Sequence, residues 1–226
     1  MPFSLARVLV AEAFGTALLL AVVVGSGIMA ERLAGGSVGL ALLANTLATG
    51  AGLVVLILAF GPVSGAHFNP CVTLVVMLRK AMPWPRGASY MVVQVLSAIA
   101  GVWLAHAMFD LPILRTGATA RAGLGQGISE GVATFGLIAT IVLVERGRPA
   151  AVPFAVAAWI TAAYWCTAST SFANPAVTIA RACTDTFAGI RPGDVPAFLV
   201  AQILGALGAL GVCAWLLEPR SPESRA

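Results

Sequence analysis

The 226 residues are 59% hydrophobic and only 10% charged, with a net charge of +4 and a mean hydropathy of +0.95. A soluble domain carries about a quarter charged residues, so this chain is solvated by lipid, and its modest positive charge forms no basic cluster of the kind a nucleic-acid binder needs. Six apolar stretches, at about 5–28, 38–60, 87–108, 125–144, 152–170 and 195–217, are long enough to span a bilayer and leave no room for a soluble domain.

The first stretch is preceded only by Arg7 and is far longer than a signal-peptide core, so it reads as an uncleaved span. It carries Glu12 and, one turn on, Thr16; the fourth span repeats the pair as Glu130 and Thr134, with Gly127 and Gly131 permitting close helix approach. An ionisable group at membrane depth is a functional candidate by default. Here the structural role is the better expectation: a carboxylate can accept hydrogen bonds from the free N–H groups of a non-helical loop folded into the membrane.

The second span ends in the glycine-rich run Gly61-Pro62-Val63-Ser64-Gly65-Ala66, which leads to His67-Phe68-Asn69-Pro70-Cys71-Val72-Thr73. After the fifth span comes Phe172-Ala173-Asn174-Pro175-Ala176-Val177-Thr178. Asn is a favoured N-cap and Pro a favoured first helical residue, so each Asn-Pro starts a helix. Each apolar run then ends about ten residues later, near Arg79-Lys80 and Arg181-Cys183, too short to cross a bilayer. Two re-entrant half-helices are expected. The third span contains Gln94, and the sixth answers with Gln202 and a glycine face at Gly205, Gly208 and Gly211.

Glu, Asn-Pro and Gln thus recur in the same order, each time in three spans and one half-helix. Because three is odd, the second copy enters the membrane inverted. The expected architecture is an all-α membrane protein of six transmembrane helices plus two re-entrant half-helices, one domain over 1–226 with inverted repeats at about 1–116 and 117–226. With the N-terminus inside, the inner segments hold eight Lys and Arg residues (Arg7, Arg79, Lys80, Arg86, Arg146, Arg148, Arg220, Arg225) and the outer ones five, which favours cytoplasmic termini.

Half-helices entering from opposite sides bring two N-termini together, each with roughly half a positive charge. Such a junction repels cations and protons, while Asn69 and Asn174 offer donors to a neutral solute with acceptor oxygens. The four cysteines have no CxxC spacing and read as small buried residues, with no metal or cofactor site implied. No Ser, His and Asp arrangement suggests catalysis. His67 is expected in the inner vestibule and His106 at an interfacial span end.

The doubled Asn-Pro motif, the paired glutamates and the layout resemble the major intrinsic protein family of aquaporins and aquaglyceroporins over essentially the whole chain. Ala11-Glu12-Ala13-Phe14-Gly15-Thr16 and Ser64-Gly65-Ala66-His67-Phe68-Asn69-Pro70 carry the resemblance most closely. It implies a homotetramer with one pore per subunit, and pore motifs Asn69, Pro70, Cys71 and Asn174, Pro175, Ala176. Two departures stand out. Cys71 replaces the usual alanine, and Val177 replaces the arginine that usually follows the second motif and forms the cationic wall of the outer filter.

Counting back from the motifs as the resemblance implies, the other filter positions are Thr49, Ala162 and Ser171. A one-residue slip would bring in Phe172 or Ala163, and Tyr164 lies nearby. In this register the filter of Thr49, Ala162, Ser171 and Val177 is small and uncharged. Arg181, one turn past Val177, is expected to face headgroups or pair with Asp185; guarding the mouth beside Phe172 is the alternative. The functional expectation is a passive channel in a bacterial inner membrane for neutral solutes wider than water, such as glycerol, urea or metalloid hydroxides like As(OH)3. The sequence is similar to aquaglyceroporins associated with arsenic resistance. A water-selective pore and an ion-coupled secondary transporter are the competing readings.

Overall fold

The computed structural model describes residues 3–218; Arg220 and Arg225 of the charge count lie outside the described residues. Every element is helical: α1 (Leu5–Leu33), α2 (Val38–Ser64), α3 (Pro70–Leu78), α4 (Trp84–Met108), α5 (Leu124–Gly147), α6 (Val152–Cys166), α7 (Pro175–Arg181) and α8 (Val195–Leu216). Six of them, with α6 and α8 extended by a short preceding turn, are long and apolar enough to cross a membrane. The short α3 and α7 are the two half-helices expected after each Asn-Pro. Six crossings place both described ends on one face, called the near face below; the opposite one is the far face.

Helix α2 runs four residues past the expected end of the second span, to Ser64, where Gly65 adopts a left-handed φ of 88° and stops it. Helix α6 stops at Cys166, four residues short of the expected 170. Residues 167–174 then fold back into the membrane without helix. That shortening is what frees the backbone that leads to Asn174.

The spans pack chiefly as α1 on α4, α1 on α2, α5 on α8 and α2 on α6. Asn45 of α2 donates through Nδ2 to Val23 O and Ser26 Oγ, both at 2.8 Å, and so pins α2 to α1 without water. Helices α5 and α8 touch through small residues: a Cβ on Gly205 would run into the backbone of Gly131. Gly127 and Gly211, expected to help in this, have open space beside them. Large apolar side chains such as Phe14, Leu47, Val55, Leu96 and Leu204 point outward from the bundle, the arrangement a lipid solvent requires. Cys71 and Cys213 are buried as expected, but Cys166, at the end of α6, is exposed.

The connection between α4 and α5 lies across the far face. Gly117 N donates to Ala182 O at 2.9 Å and Arg191 N to Thr119 O at 2.8 Å, tying this loop to the segment after α7. His106, expected at an interface, is fully buried there, with Nε2 2.7 Å from Thr184 Oγ1 and Nδ1 3.0 Å from Ile113 O.

Candidate functional site

The site begins with two loops that cannot be helical. Gly65, Ala66 and Phe68 before α3, and Thr170, Ser171 and Ala173 before α7, all have positive φ. Such backbone turns N–H groups away from any helical ladder, and in a membrane each must find an acceptor. Glu12 supplies it for the first loop: Oε1 accepts from His67 N at 2.9 Å and Oε2 from Phe68 N at 2.8 Å. Glu130 does the same for the second, accepting from Phe172 N and Ala173 N, both at 2.9 Å. Ser64 and Ser169 each accept from the amide two residues on, Ala66 N and Ser171 N.

The glutamines complete both networks. Gln94 Nε2 donates to Glu12 Oε2 at 2.8 Å and lies 3.1 Å from Thr73 Oγ1, while Gln202 Nε2 donates to Glu130 Oε2 at 2.6 Å and lies 2.8 Å from Thr178 Oγ1. Glu12, Glu130, Gln94 and Gln202 are all fully buried. Each carboxylate therefore accepts three bonds from its own loop and glutamine, and Glu12 takes one further bond from Ser64 Oγ at 2.6 Å.

The two asparagines meet across the centre. Asn69 Oδ1 caps α3 by accepting from Cys71 N at 2.8 Å; Asn174 Oδ1 caps α7 through Ala176 N at 3.0 Å and Val177 N at 3.3 Å. Cys71 is thus accommodated in the cap, buried behind it. Asn69 Nδ2 donates to Ala173 O, and Asn174 Nδ2 donates to Phe68 O, both at 2.8 Å, which locks each half-helix to the opposite loop. An amide nitrogen has two donors, so each asparagine keeps one N–H. Both asparagines line a cavity of about 1030 Å³ that also touches Arg79, Glu145 and Arg146 at the near face and Thr49, Tyr164, Ser171, Val177 and Arg181 toward the far face.

The structure separates the residues counted from the motifs. Thr49, Ser171 and Val177 line the cavity, and so do His67 and Phe172. Ala162 does not: it is exposed on the outer side of α6, and Ile160 and Tyr164 face the cavity in its place. Tyr164 lies with its hydroxyl 3.4 Å from Thr49 Oγ1. The wall at this level therefore carries an aromatic ring, contrary to the small, uncharged set expected. Two residues along a helix rotate a side chain by about 200°, so a slip of two suffices to carry the wall from one face to the other.

Arg181 corrects a second expectation. It neither faces headgroups nor pairs with Asp185, which instead lies 3.6 Å from Arg115. Arg181 is 3% exposed, donates through Nε to Ala188 O, and holds its guanidinium carbon 3.4 Å from the centroid of the Phe172 ring. Side chains on a helix lean toward its N-terminus, so Arg181 folds back from the last residue of α7 toward the level of the loop. Arg121, from the connection on the far face, approaches the same ring at 5.1 Å and donates to Gly189 O, Ser169 O and Phe187 O. Burial lowers the Arg121 pKa from its usual value, against the opposing pull of Glu130. Sequence reasoning missed Arg121 altogether, because its partners are backbone carbonyls distant in the chain.

Among the described residues, no group of three or more His, Cys, Asp or Glu side chains is placed to hold a metal ion.

Comparisons with known proteins agree with this architecture. A family model described as Major intrinsic protein matches residues 2–148. The chain is 57% identical over 223 residues to Aquaglyceroporin AqpS of Rhizobium meliloti (strain 1021), an alignment that covers 99% of this chain and 95% of that protein. It is 26% identical over 228 residues to Aquaporin NIP6-1 of Arabidopsis thaliana, covering 98% and 72% respectively. The X-ray structure of the aquaglyceroporin from Plasmodium falciparum superposes with a TM-score of 0.67 over 94% of this chain and 95% of that one, at 20% identity, a likeness of fold. Six membrane-spanning helices, two capped half-helices joined at their asparagines, and these matches together place the chain in the major intrinsic protein family.

Proposed function

We propose that the protein is a passive channel for small uncharged solutes bearing acceptor oxygens, with water among them. The observation that carries this reading is the cavity that passes both asparagines, each with one N–H left for a solute and each at the positive end of a half-helix. A neutral solute replaces its bulk hydrogen bonds there; a cation meets two helix N-termini and cannot regain its hydration. The 57% identity to a protein named an aquaglyceroporin supports solutes of polyol size.

The outer filter in this reading is formed by Thr49, Tyr164, Ser171 and Val177. Val177, where an arginine is usual in the family, leaves room, while Tyr164 gives a carbon backbone an aromatic surface that the first count had denied it. Glycerol and urea fit such a wall, and so does As(OH)3, a compact trihydroxylated solute of similar shape. Both glutamates have oxygens occupied by loop donors, which supports bracing over proton coupling and hence a channel over a secondary transporter.

The same reading takes the chain as one channel domain of two inverted repeats, about 1–116 and 117–226, in a bacterial inner membrane with cytoplasmic termini, assembled as a homotetramer with a pore in each subunit. The test is stopped-flow light scattering of proteoliposomes against a panel of water, glycerol, urea and As(OH)3. Non-saturating, gradient-driven flux of the wider solutes is expected. Flux of water alone would favour a water-selective pore, and saturable, ion-driven uptake would favour a transporter.

A further inference from the structure

The far mouth holds more positive charge than its surroundings balance. Neither Arg121 nor Arg181 forms an ion pair among the described residues; the acids nearby are engaged elsewhere, Asp185 with Arg115 and Asp194 with Arg191. Arg121 has its guanidinium spread over three carbonyls. Arg181 does not: Nε meets Ala188 O, and no protein acceptor among the described residues meets either Nη, although the side chain is almost wholly buried and lines the cavity. Burying a charge without a partner is costly, and a guanidinium fork left open toward a cavity is a ready receptor for a planar oxyanion.

A second observation falls in the same place. The hydroxyl of Ser171, next in the chain to Phe172, is buried and has no hydrogen-bond partner, and Ser171 lines the same cavity. The site thus offers two guanidinium Nη groups held in place by the Phe172 ring, an unused hydroxyl, and the apolar Val177 one turn before Arg181 as its floor. Arg121 adds a second positive charge behind the ring.

We propose that the far mouth is a binding site for a small monovalent oxyanion of carboxylate or nitrate shape, gripped by Arg181, and that its occupancy obstructs neutral solutes passing Val177. The idea rests on the channel reading for its effect on flux, but the binding itself does not.

Nitrate is the probe, because it is planar, monovalent and ionised at any usable pH; gluconate at equal ionic strength is the control, a monovalent anion carrying a bulky polyol chain. In proteoliposomes, nitrate on the far side lowers glycerol permeability saturably, and gluconate does not. In detergent, nitrate raises the melting temperature above that in gluconate. Arg181→Met abolishes both effects. Arg181→Lys keeps them but shifts the half-effective nitrate concentration upward by about tenfold, since an ammonium lacks the planar fork. Phe172→Leu, which leaves the charge and removes its platform, shifts it in the same direction.

Equal responses to nitrate and gluconate in the unaltered protein would overturn the proposal, as would nitrate effects that survive Arg181→Met. Should Arg181→Met fail to fold, the Lys and Phe172→Leu variants decide, and an unshifted nitrate response in both would be equally fatal. Absence of glycerol and water flux in nitrate-free liposomes would instead remove the channel reading, and the melting shift would still judge the anion site.

Discussion

The two half-helix junctions are the most alike regions of the molecule and, a few ångströms further out, the least alike. At the centre, Glu12 and Glu130, Gln94 and Gln202, Thr73 and Thr178, and Asn69 and Asn174 repeat the same bonds with nearly the same distances. Some of the unsatisfied atoms match as well: Thr16 and Thr134 Oγ1, and Gln94 and Gln202 Oε1, lack partners in both halves. At the mouths the likeness ends. The near mouth has an exposed Arg79–Glu145 pair at 3.0 Å and the imidazole of His67; the far mouth has the buried Arg181 and the half-buried Arg121 against Phe172, neither in an ion pair among the described residues. The shared bonds build the crossing, and the unshared ones give each entrance its own chemistry.

One shape difference sits within the likeness. Phe68 fills the space above Gly15, where any Cβ would collide with its ring, whereas the equivalent loop position in the second half is the small Ala173. The first loop is held by packing as well as by its carboxylate. This predicts unequal losses when the carboxylates are removed. Glu12→Gln and Glu130→Gln each turn a donor toward loop amides and cost about 3 kcal/mol or more, the scale for breaking one partner of a buried network. Glu130→Gln should be the worse, with the lower melting temperature and yield in detergent. Any folded fraction should keep its solute preference; a stable, abundant variant without flux would return the glutamates to a proton-coupling role.

Next in size is the far filter. Val177→Arg places a third guanidinium at the far mouth, one turn from Arg181, and fills the opening, so glycerol permeability should fall about tenfold or more, while water falls less because it can satisfy the added donors. Val177→Leu narrows without donors and separates size from charge. Glycerol flux unaffected by Val177→Arg in matched proteoliposomes would move the constriction to Tyr164 and Phe172.

The sequence spoke most clearly where a residue's role is local. Asn-Pro marks a helix start by its own backbone preference, and a run of nine or so apolar residues is too short to span, so α3 and α7 were legible, as were the glutamates that loop amides demand. Arg181, His106 and Arg121 were not, because what buries them is Ala188 O, Thr184 and a string of carbonyls brought over by a loop dozens of residues distant. Ala162 failed for another reason. Counting along α6 assumes that the helix keeps a fixed phase to the motif, but α6 ends at Cys166 and seven non-helical residues separate it from Asn174.

A smaller effect distinguishes the asparagines. Asn69→Asp and Asn174→Asp each put a carboxylate where an amide N–H faced a carbonyl, and each opposes the paired helix dipoles, so cation leak into liposomes should rise. The rise should be smaller for Asn174→Asp, because Arg181 lies on the same half-helix and offsets part of the new charge. Equal leak from both would mean that Arg181 is screened from the junction, and no leak from either would remove the dipoles as the cation barrier.

The smallest effect tests the comparison most directly. His67 and Phe172 hold the same place relative to their asparagines, and both amides bind the oxygen of their glutamate. Replacing His67 by Phe gives the near mouth the far mouth's residue while sparing the backbone bond. The side-chain loss is confined to the 3.0 Å contact between His67 Nδ1 and Thr73 Oγ1 and the tilted packing on Tyr90. Thr73 Oγ1 still reaches Asn69 O at 3.2 Å and Gln94 Nε2 at 3.1 Å, so no hydroxyl is stranded. One replaced hydrogen bond of this kind costs about 1 kcal/mol, a shift of a few degrees in melting. A phenyl ring there still packs on Tyr90 but has no arginine over it, unlike Phe172, and so holds no anion-binding fork; glycerol permeability should stay within about twofold of the unaltered protein. A large fall in glycerol flux at unchanged stability would show that the near mouth selects solutes through His67, and the division between a symmetric crossing and a selective far entrance would have to be abandoned.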